Sequence, residues 1–132
     1  MVSTRIVLIS DSVRLAGRLR AALRHEGYTT MVHGFAGHPN LILLRSCPDL
    51  LILHASRDAA HLERWRQGVE ATRRRRSLPV LGIAPRHMGG RERSILEGIA
   101  DLGVCRRPVR KREILERIDP WSTSGARLLR AS

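Results

Sequence analysis

The sequence predicts an α/β domain, a five-stranded parallel sheet with helices on both faces. Three observations carry this. Five short strand-like segments recur along the chain, and a stretch with helical periodicity follows each of them. The first of them, through Ile6-Val7-Leu8-Ile9, is continuously apolar, as suits a central strand covered on both faces. Strands that alternate with helices imply a parallel sheet in which the helices cover the two faces. At 132 residues the chain has room for one such domain with a real core, and too little for two of ordinary size.

The elements follow in order. Arg5–Ile9 is the first strand, and Ser10, Asp11 and Ser12 after it can cap a helix. Leu15, Leu19, Ala22 and Leu23 recur at helical spacing, with Arg14, Arg18, Arg20 and Arg24 mostly on the other side, and Gly27 stops that helix. Tyr28–His33, β-branched and aromatic, is the second strand. Gly34, Gly37, Pro39 and Asn40 mark a loop, and a short helix through Leu41, Leu44 and Arg45 ends before Pro48. Asp49–Leu53 is the third strand and Ala55–Asp58 a loop. A helix runs from Ala59 to about Arg74 with Leu62, Trp65 and Val69 as its apolar stripe. Its end leads into Arg73–Arg76, favourably placed against the helix dipole and read as a solvated face.

Pro79–Ile83 is the fourth strand, and a loop runs from Pro85 to Gly90. The helix Arg91–Ile99 faces inward through Ile95, Leu96 and Ile99. Leu102–Arg106 is the fifth strand, Pro108 breaks it, and Val109–Ile118 is a helix facing inward through Ile114, Leu115 and Ile118. The chain divides into a domain over residues 1–118 and a basic C-terminal tail over 119–132. The tail reads as turn-like from Pro120 to Gly125, with one more basic turn over Ala126–Ala131, and as mobile unless Trp121 docks.

Composition narrows the function. Aromatic residues are few: Tyr28, Phe35, Trp65 and Trp121. Lys and Arg number 24 against 12 Asp and Glu, a net charge of +12, and every cation except Lys111 is an arginine. Such a balance favours an acidic partner (nucleic acid, an acidic protein face or anionic lipid), with solvated cationic faces as the competing reading. Cys47 and Cys105 read as small core residues rather than a disulfide or a metal pair. The run Ile6–Ile9 is too short for a secretory leader, and no apolar stretch approaches the ~20 residues of a membrane span. The expectation is a cytoplasmic protein without membrane contact.

In an open parallel sheet, ligands bind at the carboxyl ends of the strands. Ser10-Asp11, His54, Ala84 and Arg107-Pro108 follow directly on the apolar runs, so they are expected to be neighbours. His54 reads as a histidine packed at a strand end and hydrogen-bonded to a neighbour, in preference to a pH switch, a phosphohistidine or a metal ligand. Arg107 and Asp11 are candidates for a guanidinium–carboxylate bridge, which either freezes one signalling state or satisfies two leftover charges.

Over roughly residues 4 to 118 the sequence resembles the receiver domain of two-component response regulators. The resemblance rests on five βα units, the strand ending at Ser10-Asp11, Gly27-Tyr28, Pro48-Asp49-Leu50, Leu78-Pro79-Val80 and the cation-proline pair Arg107-Pro108. It implies a flavodoxin-like (βα)5 fold with strand order 2-1-3-4-5, here as a stand-alone receiver. In that family, paired acidic residues after strand one bind magnesium and an aspartate ending strand three accepts a phosphoryl group. A Thr or Ser after strand four and a Lys after strand five contact that group. In this sequence those positions fall on Ser10 and Asp11, on His54, on Ala84 and on Arg107, with Pro108 retained.

An aspartyl phosphate needs an aspartate nucleophile, and Asp11 alone is a poor magnesium site. The resemblance therefore implies a degenerate receiver: no enzyme, no metal, no cofactor and no aspartyl phosphorylation. Its role is then a phosphorylation-independent interaction module, binding a signalling protein or a second copy through the last two βα units and the tail. Arg110, Lys111, Arg112, Arg117 and Trp121 are the candidate interface residues. A basic nucleic-acid-binding regulator is the alternative, opposed by the scarcity of aromatics for base stacking. For an enzyme, the sequence offers no nucleophile–base pair, Gly-rich phosphate loop or ligand cluster.

Overall fold

Five strands and five helices alternate along the chain. They are β1 (Arg5–Ile9), α1 (Val13–His25), β2 (Thr29–His33), α2 (Pro39–Ser46), β3 (Leu50–His54), α3 (Ala59–Arg73), β4 (Val80–Ala84), α4 (Gly90–Ile99), β5 (Val104–Arg106) and α5 (Lys111–Ala131). The computed structural model describes residues 4–55 and 58–131, with residues 122–131 described by their backbone alone. Ser56 and Arg57 of the expected loop lie outside the described residues, as do the tail side chains beyond Trp121.

The strands form one parallel sheet in the order β2-β1-β3-β4-β5. Ile6 pairs with Thr30 and Leu50, Leu51 with Val80, and Gly82 with Val104. The pleat sends alternate side chains to opposite faces. Val7, Ile9, Leu51, Leu53 and Val80 meet α2, α3 and α4 through Leu43, Leu62, Trp65, Val69, Leu96 and Ile99. Ile6, Leu8, Leu50, Ile52, Leu81 and Ile83 meet α1 and α5 through Leu15, Leu19, Leu23, Ile114 and Ile118. The expected fold class, strand order and two-sided cover are therefore present.

Local chemistry explains the element ends. The Ser12 hydroxyl accepts from Leu15 N–H and caps α1. Gly27 follows that helix at φ +90°, its N–H donating to Arg24 C=O while Tyr28 N–H reaches Leu23 C=O. This paired pattern needs a left-handed residue, which glycine supplies without steric cost. Gly82 in β4 faces α4, where a side chain would meet Leu96 at 3.0 Å and Ala100 at 3.2 Å.

Four expectations need correction. Pro39 and Asn40, read as loop, are the first residues of α2, whose buried residues are Pro39, Leu43 and Ser46, while Leu41 and Leu44 are 46% and 59% exposed. Pro39 at the first helical turn sets a stripe at i, i+4 and i+7 that passes between those two leucines. Cys47 is exposed rather than in the core, because it ends α2 at φ 43° with its thiol donating to Leu44 C=O. Arg73 is not merely solvated: its guanidinium donates to the carbonyls of Leu78 and Ile99 and pairs with Asp101 at 3.0 Å. The turn expected at Pro120 is absent, and α5 continues through it. Asp119, just before that proline, accepts from the Tyr28 hydroxyl, which holds this part of the chain against the domain.

Candidate functional site

Backbone bonds at the carboxyl edge of the sheet bring the predicted positions together. Ser10 N–H donates to His33 C=O at 2.9 Å, Ala55 N–H to Ile83 C=O at 2.8 Å, and Arg107 N–H to Ala84 C=O at 3.2 Å. His54 and Ala84 are themselves the last residues of β3 and β4, which run one residue past the ends expected from sequence. The Arg107–Pro108 peptide bond is cis.

Ser10 and His54 are both 6% exposed, and Ser10 Oγ lies 2.8 Å from His54 Nδ1. Ser12 N–H donates to the same Oγ at 3.0 Å, while the alternative acceptor for the hydroxyl proton, Ser12 C=O, stands farther off at 3.4 Å. The short contact has the Ser10 hydroxyl donating to Nδ1, which puts the ring proton on Nε2. That nitrogen is buried without a protein partner among the described residues. Burial first and the Arg107 charge second, opposed by Asp11, lower the His54 pKa to about 4. The imidazole is therefore neutral at pH 7.

A serine beside a histidine is the nucleophile–base pair that the sequence reading did not find. Its environment does not favour base catalysis. A general base works best with a pKa near the operating pH, and this one lies well below it. The ring also lacks an orienting acceptor on Nε2 among the described residues. The pair serves instead to satisfy two buried polar groups, as expected for a histidine at a strand end.

Asp11 is held by a different device. Its Oδ1 accepts from Phe35 N–H at 3.0 Å. Phe35 is anchored on α3, stacked on His61 at 6.0 Å and edge-on to Trp65 at 6.5 Å. The β2–α2 loop is thus pinned over the carboxylate. Among the described residues, Asp11 and Arg107 form no ion pair, so the expected bridge is absent. Ala84 is buried in the core cluster under α3 and α4. The Arg107 side chain instead lines a cavity of about 430 Å³ beside α1, together with Arg18, Arg86 and Lys111.

The candidate interface residues are exposed at the start and along the outer side of α5. Lys111 pairs with Glu26 at 3.1 Å and Arg112 with Glu116 at 3.0 Å. Arg117 donates to Leu102 C=O at 3.1 Å. Trp121 is 39% exposed. Cys105 is buried as expected, and burial together with Glu113 pushes its thiol pKa up to about 11.

Solved structures share this architecture. A CheY-like receiver domain protein from Methanospirillum hungatei JF-1 superposes with a TM-score of 0.74 at 17% identity, covering 96% of this chain and 98% of its own. The chemotaxis protein CheY4 of Vibrio cholerae gives 0.72 at 11% identity, covering 90% and 98%. A CheY-like response regulator from Mesorhizobium loti gives 0.66 at 11% identity, covering 89% and 98%. No protein-family model and no curated protein sequence matches the chain. The chain has the receiver fold. No helix among the described residues is long and apolar enough to cross a membrane.

The magnesium site that the resemblance implies does not fit these residues. Magnesium wants several hard oxygens at octahedral positions. Here Ser10 Oγ is committed to His54 and Ser12, and one Asp11 oxygen to Phe35 N–H. A neutral imidazole stands at the end of β3, where the resemblance places the acceptor. Among the described residues, no group of three or more His, Cys, Asp or Glu could hold a metal ion. The Phe35–His61–Trp65 anchor and the placement of Arg18 and Arg86 in the cavity lining were missed from sequence. The one available signal was Arg18 beside the inward stripe of Leu15 and Leu19, where a long cation can line the edge of an apolar face.

Proposed function

We propose that this chain is an atypical receiver that acts in signal transduction as a phosphorylation-independent protein-interaction or dimerisation module in the cytoplasm, and that it is not an enzyme. One observation carries the reading: the position of the phosphoryl acceptor is filled by His54, neutral, buried and bonded to Ser10. The burial of Ala84, in place of an exposed hydroxyl, supports it. The docking face is the last two βα units, β4–α4 and β5–α5, with the tail, and β5 is the short edge strand of the sheet. Arg110, Lys111 and Arg112 provide charge for an acidic partner surface, and Trp121 an aromatic anchor.

Sedimentation velocity over a range of concentrations, with and without acetyl phosphate and magnesium, tests this. The expected result is association that is the same in both conditions and weakened by Trp121→Ala. A monomer at every concentration opposes the dimer form. Association that appears only with the phosphodonor contradicts the independence from phosphorylation.

A further inference from the structure

We propose that the groove between α1 and the start of α5 binds a small organic phosphate of the nucleoside diphosphate class. The cavity, about 430 Å³, is lined by Arg18 of α1, Arg86 of the β4–α4 loop, Arg107 after β5 and Lys111 of α5. Its remaining lining is apolar, from Leu15, Leu19, Ala22, Pro108 and Val109, and no carboxylate faces it. Lys111 is partly neutralised by Glu26. Arg18, Arg86 and Arg107 have no ion pair among the described residues.

Three arginines from separate segments thus line one concavity without a counter-charge among its lining residues. A cleft lined by one sign of charge concentrates ions of the other sign. The guanidinium fork matches phosphate oxygens two at a time. The volume lies within the roughly 300–1,000 Å³ of small-molecule sites. An inorganic phosphate would meet the cations and leave the apolar floor wet, whereas a nucleoside attached to phosphates covers both. Besides the cations, no lining residue carries a side-chain group to read a base edge, so the site should tolerate different bases. This inference goes beyond the interaction-module reading and does not rest on it.

The test is isothermal titration of the full chain with ADP, pyrophosphate, adenosine and a single-stranded oligonucleotide, in magnesium-free buffer at physiological ionic strength. ADP should bind saturably at one site, with pyrophosphate and adenosine each at least about tenfold weaker. Arg18→Ala and Arg107→Ala should each weaken ADP by about tenfold, with unchanged far-UV circular dichroism. The charge-matched variant Arg74→Ala, which is not part of the groove lining, should bind ADP as the wild type does. ADP that fails to saturate overturns the proposal, as does pyrophosphate binding equal to ADP or an equal loss in the control variant. An oligonucleotide that outcompetes ADP and is lost in the same two variants assigns the groove to nucleic acid instead.

Discussion

The carboxyl edge of the sheet and the groove beside α1 meet at Arg107, yet they resolve their polar groups in opposite ways. At the edge, Ser10 binds His54 and Ser12, and Asp11 binds the Phe35 backbone. In the groove, Arg18, Arg86 and Arg107 face one cavity without a counter-charge. Hydroxyl, imidazole and amide groups each donate or accept and can satisfy one another, whereas guanidiniums only donate and must look outside their own set. The polar groups at the edge therefore satisfy one another, while the arginines of the groove do not.

The largest expected difference lies in the pH dependence of the closed edge. The folded pKa of His54 is lowered to about 4 from an ordinary 6.5. As pH falls, the unfolded chain takes up this proton first, so the stability is fully present above pH 6.5 and is lost as pH falls toward 4. After allowance for solvent screening the loss is about 2 kcal/mol. Urea midpoints at pH 7.5 and 4.5 should show the wild type losing that much more than His54→Asn, and equal losses would break the assignment.

Next in size is Ser10→Ala. It strips the partner from His54 Nδ1 and from Ser12 N–H together, so a cost of about 1–2 kcal/mol is expected in chemical denaturation at pH 7. A neutral result would mean that the pair holds nothing in place.

The smallest effect belongs to the groove. Arg18→Ala and Arg107→Ala should each change stability by less than about 0.5 kcal/mol, as exposed cations without intramolecular partners do. Arg107→Ala should nevertheless raise the His54 pKa, because the Arg107 charge depresses it, and Asp11→Asn should lower it further. An NMR titration of the imidazole reads both directions.

Much of the fold was legible in the sequence because its determinants are local. Apolar runs such as Leu50–Leu53 fix buried strands, and Gly27 stops α1 at a position that demands a left-handed residue. The meeting of Ser10 and His54 followed from strand ends alone, since parallel strands deliver those ends to one edge. What failed depended on longer-range packing. The Asp11–Arg107 bridge was expected from proximity, but Phe35, anchored by His61 and Trp65, brings a loop amide onto the carboxylate. Nothing near Asp11 in sequence signals that anchor. The start of α2 at Pro39 and the exposed Cys47 at its end likewise follow from how α2 sits against the rest of the domain.

The claim that the receiver fold here has lost its phosphoryl chemistry is tested most directly by intact mass. The full chain is incubated with acetyl phosphate and magnesium and weighed before and after hydroxylamine. The mass should stay that of the unmodified chain throughout. A stoichiometric phosphoryl adduct that hydroxylamine removes would contradict the account.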